Sequence, residues 1–287
     1  MRALVDNNQN ISYILHGVLI PIVGVIGLCG NVIGIGYVAF LSIHQRMYTF
    51  YLLLIALFIF DLSFIVSAAV TFSLREIFPQ FYDKPISTLI LYLEYWSLPM
   101  SSLTLFGSIY FTVAISFERY MAICSPLFYR TKRRHSIFYL LTIFCFIIVV
   151  NIPRFLEVKM TKNENGEMEL YPSSLRNNRM YYYIYGIGFK FLFQYILPYT
   201  TMIVLNIKIW KVLRLQNIAT NITTRSDLQH KLSNIHASSN VTTQRKLQSE
   251  LAKLSLIMVV LLMVCSPIGI VNDVYEVFNG IQEVNGK

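Results

Sequence analysis

Charge is scarce in this chain: 14% of its 287 residues are Asp, Glu, Lys or Arg, against 55% hydrophobic, with a mean hydropathy of +0.54. A soluble domain of that make-up would leave too much apolar surface in water, so the chain reads as a membrane protein. Cysteine is scarce as well. Cys29, Cys124, Cys145 and Cys265 all lie in or beside apolar runs and none lies in a segment expected outside the membrane, which argues against a disulfide framework. No Gly-rich phosphate loop, metal-ligand spacing or Ser/His/Asp arrangement occurs, and the five His residues are scattered through loops and run ends. Neither an enzyme nor a metal site is supported. The first apolar run is far longer than the roughly 7 to 15 residues of a signal-peptide core, and its leader lacks a basic cluster; it is expected to stay in the bilayer.

What the sequence has is long hydrophobic stretches. A span of about 20 apolar residues crosses roughly 30 Å of hydrocarbon, and six segments qualify: Ile14–Leu41, Phe50–Phe72, Ser97–Cys124, Ile137–Pro153, Tyr182–Trp210 and Leu254–Val271. The expected fold is an all-α membrane bundle of six transmembrane helices. The stretch after Val271 is polar (Asn272, Asp273, Glu276, Asn279), so no seventh span is expected within it. This organises the chain into an outer N-terminus over 1–13, a bundle with its loops over 14–271, and an outer segment over 272–287. Inner loops collect Arg46, Arg130, Lys132, Arg133, Arg134 and the cations from Lys208 to Lys253, whereas the outer cations are fewer and interleaved with acids. That bias puts the N-terminus outside, in a multi-pass plasma-membrane topology. It also accounts for the net charge of +9 through contact with anionic lipid rather than nucleic acid. Asn10 in Asn10-Ile11-Ser12 is an outer-side glycosylation sequon, while the matches at Asn221 and Asn240 face inward and should be silent. The inner loop over about 211–250 is rich in Ser, Thr, Asn and Gln, and its middle is expected to be disordered, with helical extensions at Ile207–Leu215 and Gln244–Leu256. Cys124, at the inner edge, is either a palmitate site or a buried thiol.

Polar residues inside the spans narrow the function. Asp61 sits mid-way along the second span, where a carboxylate is costly enough to imply a role, including holding a sodium ion; no other cofactor is expected. Asn31 follows Gly30 in the first span, and Ser108, about three turns before Arg119, is placed to face Asp61. Lys190 and Gln194 share a helix face, though Lys190 is close enough to the outer end to snorkel. Pro153, Pro198 and Pro267 lie late in or inside spans and serve as kinks or hinges. The third span ends in Glu118-Arg119-Tyr120. That cluster is either an interfacial ion pair anchored by Tyr120 or a switch in which Arg119 is held by Glu118 and released when the inner ends of the fifth and sixth helices part.

Gly30-Asn31, Leu57 with Asp61, Glu118-Arg119-Tyr120 followed by Pro126-Leu127, Pro198 and Pro267 occur in an order and approximate spacing that resembles the rhodopsin-like G-protein-coupled receptors. Within that family, Asn151-Ile152-Pro153-Arg154-Phe155-Leu156-Glu157-Val158, and Pro198 followed by Leu205-Asn206, look like the invertebrate FMRFamide-type neuropeptide receptors. The resemblance implies an extracellular peptide agonist ending in Arg-Phe-amide and a heterotrimeric G protein inside, with Leu127 as an apolar contact for the latter. A cationic, aromatic peptide end calls for a carboxylate with aromatic walls. The outer acids are Glu94, Glu157, Asp273 and Glu276, with Tyr92, Tyr95, Trp96 and Tyr181 to Tyr183 as the aromatic candidates; Glu94 is the first choice, and Lys190 and Gln194 are counted with the pocket. Ser101 stands where amine receptors of the family carry an aspartate, which disfavours a small amine. Departures are clear too. Glu94 replaces the cysteine expected at the outer end of the third span, and residues from Arg154 to Tyr181 include no cysteine, so that loop must be held by something else. Cys265 replaces a tryptophan, and the seventh span with its Asn-Pro motif is missing. Two further readings follow from that absence and from the helix count: a truncated, non-signalling receptor, and a six-helix channel or transporter.

Overall fold

The computed structural model describes residues 13–44, 48–78, 87–127, 129, 136–163, 166 and 168–227. Among these, five helices are long and apolar enough to cross a membrane. The sixth expected span, with Pro267 and Cys265, lies outside the described residues, as do Asn10, most of the 211–250 loop and the 272–287 segment.

Helix α1 (Ile20–His44) follows a π-helical turn over Tyr13–Leu19. Helix α2 (Tyr48–Ala68) runs on through a π turn at Ala69–Ser73 into Leu74–Ile77. Helix α3 (Ser87–Cys124) begins ten residues before the expected start at Ser97. The polar Glu94 and the helix-breaking Pro99 disguise that first part as a span boundary, yet the helix passes through Pro99. Membrane helices tolerate such a proline where neighbouring hydroxyls reach the backbone. Around Pro99, Ser97 Oγ donates to the Glu94 carbonyl at 3.1 Å, Ser101 Oγ to that of Leu98 at 2.8 Å and Thr104 Oγ1 to that of Met100 at 2.7 Å. Helix α4 spans Ser136–Phe155 with Pro153 in its last turn.

Between α4 and the next helix the chain forms a two-stranded antiparallel hairpin, β1 (Val158–Lys162) and β2 (Met168–Pro172), in a register that sets Lys159 opposite Tyr171 and Lys162 opposite Met168. Its turn uses Gly166 at φ 81, a left-handed conformation that suits glycine. Helical structure resumes at Arg179–Tyr181, where the Asn178 side chain accepts from the N–H groups of Met180 and Tyr181 as an N-cap. Two π-helical stretches, Tyr182–Phe189 and Phe191–Ile196, then lead into helix α5 (Leu197–Asp227). The wider turn has a local cause. Pro198 has no N–H, and its ring would clash with a carbonyl four residues back in a tight α-turn; the Leu197 N–H instead reaches the Leu192 carbonyl. Helix α5 continues past Leu215 to Asp227, since no Gly or Pro interrupts the chain between Pro198 and Asp227.

The chain divides into two compact units, Met1–Phe111 with Ile137–Phe189, and Thr112–Ser136 with Lys190–Lys287. Within the first, an aromatic core joins α2, α3 and α4: Phe60 packs on Phe111 and Phe144, and Phe106 and Tyr110 pack on Phe146. Hydrogen bonds tie the same helices, Thr71 to Ser97 at 2.8 Å and Ser102 to Asn151 at 3.2 Å. Polar contacts of this kind hold membrane helices together because lipid offers no competing partners. Within the second, Ile123 and Ile209 form a buried cluster with Tyr120, Cys124, Val212 and Leu213.

Candidate functional site

The C-terminal end of α3 carries the Glu118-Arg119-Tyr120 cluster. Arg119 is completely buried, at 0% exposure, and Glu118 is nearly so. Glu118 Oε1 accepts from the Tyr129 hydroxyl at 2.7 Å, so the acid is engaged from beyond the helix end at Cys124. Tyr120 packs against the Ile123–Ile209 cluster, and the Lys208 ammonium lies 5.6 Å from its ring centroid, a cation–π distance. Leu127 is 82% exposed. Tyr129 escaped the sequence reading. Only the break after Cys124 brings it back to Glu118, and no helical spacing could announce that.

In the middle of the first unit, Ser108 Oγ donates to Asp61 Oδ1 at 2.5 Å. The pair joins α2 to α3 and sets two hard oxygen atoms side by side. Asn31 is half-buried on α1 and hydrogen-bonds to neither of them.

The candidate pocket residues belong to both units: Glu94 and Ser101 to the first, Lys190 and Gln194 to the second. Glu94 is buried at 6% exposure on α3, and its backbone carbonyl accepts from Ser97 Oγ. Ser101 directs its hydroxyl to its own helix at Leu98. Gln194 is buried and donates from Nε2 to the Tyr195 hydroxyl at 3.3 Å; Lys190 is half-buried. Phe191–Ile196 is π-helical, so the four residues from Lys190 to Gln194 fall just short of one turn and keep the two on roughly the shared side that the spacing implies.

Glu157 is also buried, and both of its carboxylate oxygens are taken. Arg154 Nη1 donates to Oε2 at 2.8 Å and the Tyr181 hydroxyl to Oε1 at 2.8 Å. Its backbone carbonyl accepts from the Ser173 N–H, and Ser173 Oγ donates to the Leu156 carbonyl. Tyr181 stacks on Tyr185, whose hydroxyl reaches the Val150 carbonyl at 2.7 Å. This clamp closes the root of the hairpin onto the end of α4 and the start of the fifth span. Cys29, Cys124 and Cys145 are free thiols, and the clamp does the work a disulfide would do here. Nothing in the sequence paired Glu157 with Tyr181, which stands 24 residues away.

Tyr92 and Tyr95, one turn apart on α3, line an open pocket of about 410 Å³ with Lys159, Met160, Thr161 and Met168 of the hairpin. On the hairpin, Glu169 accepts from Tyr171 at 2.5 Å and from Asn163 at 2.9 Å, and these bonds hold its carboxyl below the usual carboxylate range and the Tyr171 phenol above its own. Among the described residues no group of three or more His, Cys, Asp or Glu could hold a metal ion. Pro153 lies inside the last turn of α4, and Pro198 lies inside a continuous helical span, where the π-helical stretch gives way to α5. Pro99, which the sequence reading left out of the hinges, lies inside α3.

Residues 31–283 match the family described as 7 transmembrane receptor (rhodopsin family). An FMRFamide receptor of Drosophila melanogaster is 31% identical over 225 residues, covering 75% of this chain and 40% of that relative. An FMRFamide peptide receptor of Caenorhabditis elegans, frpr-18, is 27% identical over 191 residues, covering 64% of this chain and 43% of its own. The chain spans about two fifths of the length of the curated relatives it matches.

Proposed function

Because the chain belongs to the rhodopsin family of seven-transmembrane receptors, a family of multi-pass membrane proteins, we propose that it is a plasma-membrane neuropeptide receptor. Its N-terminus faces outward, its agonist is a peptide ending in Arg-Phe-amide, and it passes agonist binding to a heterotrimeric G protein. The observation that carries this reading is the 31% identity over 225 residues to a protein named as an FMRFamide receptor. The residues are suited to it. Glu94 is a buried acid next in the chain to Tyr95 and two residues from Tyr92, so a peptide cation would meet a carboxylate among aromatic rings. At the other end, the buried Arg119 and the exposed Leu127 supply a charged switch and an apolar handle. Agonist binding favours the state in which the inner helix ends part and Arg119 becomes available to the G protein. Asp61 and Ser108 offer two of the oxygens a sodium ion would need in the helix core.

Saturable binding of labelled FMRFamide to membranes carrying the receptor tests the outer half. Glu94→Gln should weaken that binding roughly tenfold, on the order of 1.4 kcal/mol. Unchanged affinity would remove Glu94 from the site, and no saturable binding to the wild type would overturn the peptide reading itself.

A further inference from the structure

The open pocket between the outer end of α3 and the β1–β2 hairpin has a cation without a counter-charge. Lys159, exposed on β1, forms no ion pair among the described residues. Among the described residues of this segment, two acids are engaged elsewhere: Glu157 by Arg154 and Tyr181, and Glu169 by Tyr171 and Asn163. The pocket that Lys159 helps to line is completed by a hydroxyl, Thr161, two tyrosines, Tyr92 and Tyr95, and two thioethers, Met160 and Met168. A lysine and a hydroxyl together select an anion with acceptor oxygens, while aromatic rings and methionine sulfurs accept an adjoining aromatic or aliphatic side chain.

We infer that this pocket is a second subsite for the peptide agonist, in which Lys159 and Thr161 take the carboxylate of an acidic residue and Tyr92, Tyr95 and the methionines take its apolar neighbour. This rests on the peptide-receptor reading. An amidated peptide has no terminal carboxylate, so the anion must come from a residue upstream of its Arg-Phe-amide end. Glu94 and Lys159 then form an acid and a base that read opposite charges along one extended ligand, giving selectivity among peptides that share the same ending. An exposed pair of this kind adds specificity and association rate more than raw affinity.

The test is a matched set of N-terminally extended FMRFamide peptides carrying Asp or Asn at successive positions, bound to the receptor in membranes. The best Asp peptide should bind roughly three- to fivefold more tightly than its Asn twin, and the advantage should shrink at high salt as screening sets in. Lys159→Met should erase the difference, Lys159→Arg should keep it, and Lys159→Glu should reverse it, while unextended FMRFamide binds all of these alike. Equal binding of the twins across the set, or an Asp advantage that survives in Lys159→Met, would overturn the subsite and leave the receptor reading intact. Failure of FMRFamide itself to bind the wild type would bring down the receptor reading and the subsite with it.

Discussion

Helices α1 and α3 are both long and apolar, but they treat their side chains in opposite ways. On α1 the large aliphatic residues face outward, with Ile26 at 68% and Ile33 at 71% exposure, and glycines 24, 27 and 34 lie against Ile65 and Phe58 of α2. On α3 the buried positions include polar ones: Thr104, Thr112, Ser116 and Arg119 are all within 3% of complete burial. A soluble protein would do the reverse. Lipid tails are as apolar as an isoleucine side chain, so exposing Ile33 to them costs nothing, whereas an arginine or threonine facing lipid would lose its partners. Hydropathy therefore finds both helices and says little about which of their residues matter. Those that matter are the polar ones that the protein hides.

The contrast can be broken at several points. The largest effect is expected at Arg119, the most deeply hidden charge: Arg119→Ala should cut peptide-stimulated nucleotide exchange by roughly tenfold or more while leaving peptide binding in place. Intact coupling would mean that its burial serves structure alone. Next comes a pair of glycines. A methyl group at Gly107 of α3 would run into the Phe60 ring, whereas one at Gly30 of α1 meets nothing within 4 Å. Gly107→Ala should lower stability by about 1–3 kcal/mol and Gly30→Ala should stay within about 0.5 kcal/mol, as thermal unfolding in detergent would register. Equal losses would contradict the difference between a packed and a lipid-facing helix.

The outer clamp gives a third comparison, between buried and exposed acids of one loop. Glu157→Gln removes the charge that Arg154 pairs with, and should destabilise the loop by about 1–3 kcal/mol, seen as faster amide exchange over Val158–Lys162. Glu169, fully exposed on the same hairpin, should have a smaller influence with a defined pH sense. Its folded-state carboxyl titrates below the ordinary value of 4.5 because Tyr171 and Asn163 donate to the ionised form. Its contribution is therefore complete above that value and fades as the pH falls through the lower folded one. Glu169→Gln should flatten the acid dependence of hairpin exchange, with its largest effect near neutral pH, where the ionised carboxylate contributes in full, and its smallest at acid pH.

Much of this was legible in the sequence because a bilayer imposes simple rules. The five described spans and the pairing of Ser108 with Asp61 follow from length and helical spacing. The misses share a cause. Glu157 looked like an open acid for a ligand, yet its partner Tyr181 lies across a hairpin whose strands are too short and too mixed in polarity to stand out. The third span was expected from Ser97, because a glutamate seldom opens one, whereas α3 starts at Ser87 and carries both Glu94 and Pro99. The π-helical entry to α5 was not expected either, since a period of 3.6 residues cannot express it. Contacts between distant segments were hidden, and local periodicity was not.

The most direct test of the central claim is FMRFamide-stimulated guanine nucleotide exchange on a heterotrimeric G protein, measured in membranes that carry the receptor. The account predicts saturable stimulation by the peptide that a version lacking the terminal Arg-Phe-amide does not produce. Saturable FMRFamide binding with no exchange above the basal rate would contradict it.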